Sequence, residues 1–281
     1  MPPTSHVLMC EPSHFRIAYE INPWMRITNT VQEAEAAAQW QALHRTLVGL
    51  GVDVELVEPA AHVPDMVFTA NAGVVAGKRF VPANFRFVER APEAPLFSRW
   101  FADRGYEVLP IEGPRHWEGE GDVLVSNGSV FAASGTRTEP GALDRLDALL
   151  GLETVRLELV DPRFYHLDTC FLPLSAECAA YYPPAFSDAS RARLEEAFDD
   201  LIEVPAEDAL RFVCNALLVG RTVVMNTGAE WTARALEERG YECVATPTSE
   251  FIKAGGSVKC LVLTLDTFRD PPGVEPRRGD V

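Results

Sequence analysis

A repeat constrains this chain more than any other feature. From residue 30 onward the sequence passes five times through one order of elements: helix, short strand, loop, then two apolar strands, with a period of about 45–50 residues. The first pass places a helix at 30–50, a strand at 53–57 and paired strands across 66–82. The second runs 95–105, 106–111 and 121–133, and the third 141–150, 154–159 and 166–182. The fourth runs 187–201, 202–204 and 212–226, where VCNALLVGRTVVMN reads as two strands split by Gly220 and Arg221. The fifth runs 229–240 and 241–245 and ends on the strand carrying Cys260. Ser187 and Thr227 are expected N-caps, and Gly51, Gly105, Gly151 and Gly240 are expected helix-stop glycines. A unit of this kind cannot bury its apolar face alone, and five of them closing in a ring leave no sheet edge exposed. The fold expected is α/β, with five-fold pseudo-symmetry around one central cleft. Residues 1–268 form a single domain in this reading, and the Pro-rich, charged segment 269–281 is a loosely ordered tail.

Composition removes several classes of function. A net charge of −16 disfavours nucleic acid, which needs a clustered basic face, and suits a small cationic substrate. The start has no basic region followed by an apolar run, and no eighteen apolar residues are consecutive, so neither a secretory signal nor a membrane partner is expected and the cytoplasm is the default. Cysteines at 10, 170, 178, 214, 243 and 260 are widely spaced and read as free thiols. No C-x-x-C and no zinc-type histidine spacing occurs, so no metal and no cofactor are expected. A homo-oligomer is compatible with all of this.

Chemistry gathers at the junctions where each unit enters its paired strands. Asp65 and Asn71 flank MVF, and Glu118, Glu120 and Asp122 fall within EGEGD. His166 and Asp168 lie two apart, which on a strand puts both on one face, while Asn215 and Cys260 occupy the last two junctions. Gly255 and Gly256 precede Cys260 and permit close backbone approach to a ligand. Pseudo-symmetry brings a thiol, an imidazole and several carboxylates around one axis: a nucleophile, an acid/base and acceptors for a cation.

Read together, PDMVFTANAG, the R-x-x-E of Arg90 to Glu93, EGEGD, HLDT and GGSVKC resemble, in order, the motifs of the guanidino-group-modifying enzymes. These include arginine deiminases, dimethylarginine dimethylaminohydrolases, arginine dihydrolases and glycine amidinotransferases. The resemblance covers nearly the whole chain and implies a five-bladed α/β propeller, the pentein fold. It implies Cys260 as nucleophile, His166 as general acid/base and Glu118 as the acid that orients the guanidinium. Because EGEGD is one residue longer than the family's E-G-G-D, Asp122 or Glu120 could take that last role. Asp65, Asp168, Asn71 and Asn22 are implied as substrate contacts, with Asp122 beside them, and Arg90 as a bidentate partner for the substrate carboxylate. FTANAG, MCEP at 9–12 and INPWM at 21–25 look most like the arginine dihydrolases, which turn arginine into ornithine, two ammonia and carbon dioxide. Dimethylarginine hydrolysis is the first alternative, then deimination or amidino transfer. The non-enzymatic alternative is a ribosome anti-association factor of the same architecture. Carboxylates around Cys260 oppose ionisation, so the thiol is expected to stay neutral until the cationic substrate arrives.

Overall fold

The computed structural model describes residues 5–126, 128–266 and Phe268; the tail at 269–281 falls outside them. The described residues form five sheets of three strands each. In the first complete unit Gly73–Ala76 and Arg79–Pro82 pair antiparallel, helix Glu93–Ala102 follows, and Glu107–Val108 returns parallel to Arg79–Pro82. The order recurs with Val123–Ser126 and Ser129–Ser134, helix Pro140–Leu150 and strand Thr154–Glu158. It recurs again with Phe171–Pro173, Cys178–Tyr181, helix Asp188–Ala197 and strand Asp200–Glu203. The fourth has Leu217–Val219, Thr222–Asn226, helix Glu230–Glu237 and strand Glu242–Thr246.

The fifth sheet joins segments from opposite ends of the sequence. Leu263–Thr264 pairs antiparallel with His6–Cys10, which runs parallel to Asp53–Val57 after helix Glu33–Gly49. Five units are therefore present, as the repeat implies, but in shifted phase: each helix and short strand belongs with the hairpin before it. His6–Cys10, too short to show a period, stands in for the missing hairpin strand. Helix Glu33–Gly49 buries Ala36, Trp40, Leu43 and Leu47, the spacing of one helical face. Gly51, Gly105, Gly151 and Gly240 all have φ between +68° and +83°, as expected of helix stops. Ser187 precedes its helix as expected, whereas Thr227 does not, because that helix begins at Glu230 after Ala229.

The junctions depart from expectation in a way that matters for the site. Met66–Phe68, His166–Asp168 and Cys260 were expected on strands, yet each junction is a tight turn closed by an i to i+3 backbone bond. These bonds run from Phe68 N to Asp65 O (2.9 Å), Asp122 N to Gly119 O (3.1 Å) and Cys170 N to Leu167 O (3.1 Å). Asn215 N to Phe212 O (3.0 Å) and Val262 N to Lys259 O (3.0 Å) complete the set. Such a turn, buried on every side, has no solvent face to break its apolar run, so a period of two does not distinguish it from a strand. The turns converge: Thr69–Ala72 packs on Gly119–Gly121 and Lys259–Leu261, and Gly119–Gly121 packs on Leu167–Thr169. No helix among the described residues is long and apolar enough to cross a membrane.

Candidate active site

One wall is a satisfied network centred on Glu118. Its Oε2 accepts from His166 Nε2 at 2.8 Å and Arg137 Nη1 at 2.7 Å, while Oε1 accepts from the Arg86 backbone N–H at 3.2 Å. Burial alone would raise this carboxyl, but Arg137, His166 and Arg90 outweigh it and hold Glu118 far below the usual carboxylate range. Arg90 Nη1 donates to Asn71 Oδ1 at 2.8 Å, which turns the Asn71 amide nitrogen toward His166 Nδ1, 3.5 Å away. With Nε2 donating to a carboxylate, Nδ1 is the ring nitrogen left with only the Asn71 amide beside it. Gly121 lies flat against this pair; a Cβ there would sit 2.6 Å from Asn71 Nδ2 and 3.0 Å from His166 Nδ1.

The other wall centres on Cys260. Its Sγ lies 3.2 Å from Asp168 Oδ2 and receives the Asn215 Nδ2–H at 3.1 Å. Burial, then the charge of Asp168 and its hydrogen bond, push the thiol well above its ordinary value, so it is neutral at rest, as expected. Burial raises all six thiols, so it is the company of Asp168 and Asn215 that sets Cys260 apart. Behind the cysteine, Lys259 Nζ binds Glu120 Oε2 at 2.7 Å and the Val262 carbonyl at 2.9 Å, wrapping the turn that carries Cys260. Glu118, His166, Asp168 and Cys260 are all between 0% and 2% exposed. Tyr165 joins the walls: its hydroxyl donates to Gly255 O at 2.6 Å and its ring lies 4.6 Å from the Arg137 guanidinium and 4.7 Å from the His166 ring.

Of three buried carboxylate oxygens without a well-aligned hydrogen-bond partner among the described residues, Asp147 Oδ1 lies elsewhere and two belong to this cluster: Asp65 Oδ1, with the Tyr19 hydroxyl nearby, and Asp168 Oδ1. Burial pushes both carboxyls up, Asp168 to about 7, against the opposing pull of Lys259 on Asp168 and of Arg90 on Asp65. Orphaned buried acceptors are costly unless something arrives to donate to them. A planar cation rich in N–H groups meets that need.

Several expected roles change. The three acids of EGEGD divide: Glu118 meets His166, Glu120 meets Lys259, and Asp122 accepts from Thr138 Oγ1 (2.6 Å) and Leu167 N–H (3.1 Å). Asp122 thus braces the His166 turn, with its Oδ2 3.9 Å from His166 Nε2. Arg90 does not present an open fork, because Nε and Nη2 bind Glu93 at 2.7 and 2.8 Å; the R-x-x-E motif closes on itself. Asn22 sits at the mouth with Nδ2 on Ala254 O (3.0 Å) and Oδ1 on the Trp24 and Met25 N–H groups. Arg137 was missed, lying in a loop without a motif, and is sandwiched between Phe87 and Tyr165. Asn215 was noticed as a junction residue but given no role. Among the described residues no group of three or more His, Cys, Asp or Glu is placed to hold a metal ion.

A family model described as N,N dimethylarginine dimethylhydrolase, eukaryotic, matches residues 11–267. The N(G),N(G)-dimethylarginine dimethylaminohydrolase of Mycobacterium tuberculosis is 44% identical over 264 residues, covering 94% of this chain and 87% of that protein. The bifunctional arginine dihydrolase/ornithine cyclodeaminase ArgZ of Synechocystis sp. is 41% identical over 265 residues, covering 92% of this chain but 37% of ArgZ. Among solved structures, the N-terminal domain of an asparagine-to-serine variant of ArgZ, covalently bonded to a reaction intermediate, superposes with a TM-score of 0.90 at 39% identity. That match covers 95% of this chain and 99% of that domain.

Proposed function

The chain belongs to the N,N-dimethylarginine dimethylhydrolase family, and we propose that within it this enzyme hydrolyses free arginine to ornithine, two ammonia and carbon dioxide. The observation that carries the reading is the pair of unpartnered oxygens on Asp65 and Asp168. An unsubstituted guanidinium offers N–H groups to both, whereas a dimethylated nitrogen has no hydrogen to give. The covalent intermediate trapped in ArgZ supports an amidino-thioether route. We read the five sheets as the blades of a closed α/β propeller and residues 1–268 as one catalytic domain, with the five convergent turns as support.

Cys260 attacks the guanidinium carbon once the substrate's charge offsets Asp168 and the thiol proton passes to His166 Nδ1, forming the imidazolium. The carbon–nitrogen bond breaks, His166 Nδ1 protonates the departing nitrogen and ammonia leaves. The same nitrogen then takes a proton from water, which resolves the thioether to citrulline. A second attack on the ureido carbon expels the second ammonia and leaves a thiocarbamate; a second water hydrolyses it, freeing the thiol and a carbamate that breaks down to ornithine and carbon dioxide. Glu118 stabilises the imidazolium that forms, and Arg137 keeps Glu118 ionised. Asn71, its Oδ1 held by Arg90, donates through Nδ2 to the neutral ureido oxygen, which holds the intermediate for the second cycle. Arg90, its fork closed on Glu93, acts through Asn71 by fixing that amide, and Asn22 holds the backbone at Ala254 beside the two glycines.

Dimethylarginine hydrolysis is the competing reading, favoured by the relative at 44% identity. Supplying carbon-labelled arginine and, separately, dimethylarginine separates the two. Two ammonia per ornithine is the expected result; citrulline with one ammonia would make the enzyme a deiminase, and dimethylamine with little arginine turnover a dimethylargininase.

A further inference from the structure

We infer that Asn215 is a catalytic residue: its amide N–H is the donor that holds Cys260 as a thiolate, doing for sulfur what a backbone donor does for an oxyanion. The inference rests on the reading of Cys260 as nucleophile. Asn215 is fully buried, and both ends of its amide are engaged. Oδ1 accepts from the backbone N–H of Ser257 at 2.9 Å and of Cys260 at 3.2 Å. Those two groups can only donate, so the amide cannot be flipped, and the NH2 end must face the sulfur. It donates one hydrogen to Cys260 Sγ at 3.1 Å and the other to the Asp168 carbonyl at 3.1 Å.

The Ser257 backbone N–H also favours the ionised sulfur, but it donates to Asn215 Oδ1 at 2.9 Å, so Asn215 sets that group's place as well as its own. Asp168 Oδ2 at 3.2 Å takes the S–H bond of the thiol but repels the thiolate, so a donor on the opposite side is needed when the proton leaves. In a site this dry a single aimed N–H has large leverage on the ionised form. The backbone is arranged to deliver it. Phe212, at the head of the turn that ends on Asn215, has φ +58°, and among the described residues it is the one non-glycine with positive φ. It is fully buried and packs against Trp24, ring centroids 4.7 Å apart. A conformation disfavoured for a bulky residue, held by packing at the entrance to the nucleophile's donor, is strain kept for a purpose.

The test separates donation from bracing. Asn215→Asp keeps the acceptor for the two backbone N–H groups and removes the donor. In the full-length protein, iodoacetamide labelling of Cys260 followed against pH by mass spectrometry should shift its midpoint upward by about one unit or more. The kcat should fall about 100-fold with KM changed less than about threefold. Should that variant fail to fold, Asn215→Ser, whose shorter side chain withdraws the donor from the sulfur, carries the same expectation. A labelling midpoint and kcat unchanged in whichever variant folds would overturn the inference and reduce Asn215 to a brace. Turnover surviving in Cys260→Ala would instead sink the nucleophile reading itself, so the two failures are distinguishable.

Discussion

Glu118 and Asp168 are both buried carboxylates on turns that pack together, and they meet opposite fates. Glu118 has partners on both oxygens, two of them cationic or able to become so, and is held ionised. Asp168 has one oxygen against a thiol and one against nothing, and burial lifts its carboxyl to about 7. The first acid is completed by the protein, and the second by whatever binds. In the mechanism proposed above, the wall that moves protons is therefore pre-built, whereas the wall that attacks becomes competent with the charge of the substrate.

The largest effect should come from removing the attacking atom. Cys260→Ser is expected to lower turnover more than about a thousand-fold with an unchanged melting temperature. Serine at 10, 170, 178, 214 or 243 should leave at least about a tenth of it, since those thiols are inert packing. Retained activity in the Cys260 variant would break the division between walls.

The next comparison concerns stability. Glu118→Gln strands Arg137, a buried guanidinium, so it should cost about 3–5 kcal/mol of stability along with activity. Asp168→Asn removes an ill-paired carboxylate and should melt no lower than the parent while losing arginine binding. Equal destabilisation of both variants in thermal melts would show that the two acids are not the opposites drawn above.

The pH dependence follows from the same pair. Asp168 is raised, so in the free enzyme it is neutral below about 7 and ionises as pH climbs through that value. An ionised acceptor binds the cation, so KM for arginine should fall as pH rises from 5 to 8, and Asp168→Asn should flatten that limb. A KM profile in the parent with no change between pH 5 and 8 would contradict the assignment.

The number of units was legible in the sequence because the apolar period survives in every repeat. Their phase was not, because periodicity does not mark where a unit begins and the fifth hairpin borrows His6–Cys10 from the other end of the chain. Cys260, His166 and Glu118 were visible through their motifs. Which acid of EGEGD meets the histidine was not visible, since three carboxylates two residues apart are equivalent until Lys259 and Thr138 claim two of them. Arg137 carried no signal, because a lone arginine in a polar loop looks solvated until Phe87 and Tyr165 enclose it.

The smallest expected effect is the most informative about the reaction. Asn71 lies on the pre-built wall, its Oδ1 fixed by Arg90 and its Nδ2 turned to the centre. Asn71→Asp preserves the bond to Arg90 but replaces the inward donor with a second acceptor. The cationic first substrate tolerates that exchange, whereas the neutral ureido oxygen of citrulline loses a donor and faces a negative charge. Losing about 1.4 kcal/mol of hold on citrulline shifts its release against a second attack tenfold. Overall arginine consumption should therefore change by less than that factor, while free citrulline per ornithine rises about tenfold. A variant that still delivers two ammonia per ornithine with no citrulline would show that the second cycle is retained by some other group, and would move the search to Arg137 and Asp65.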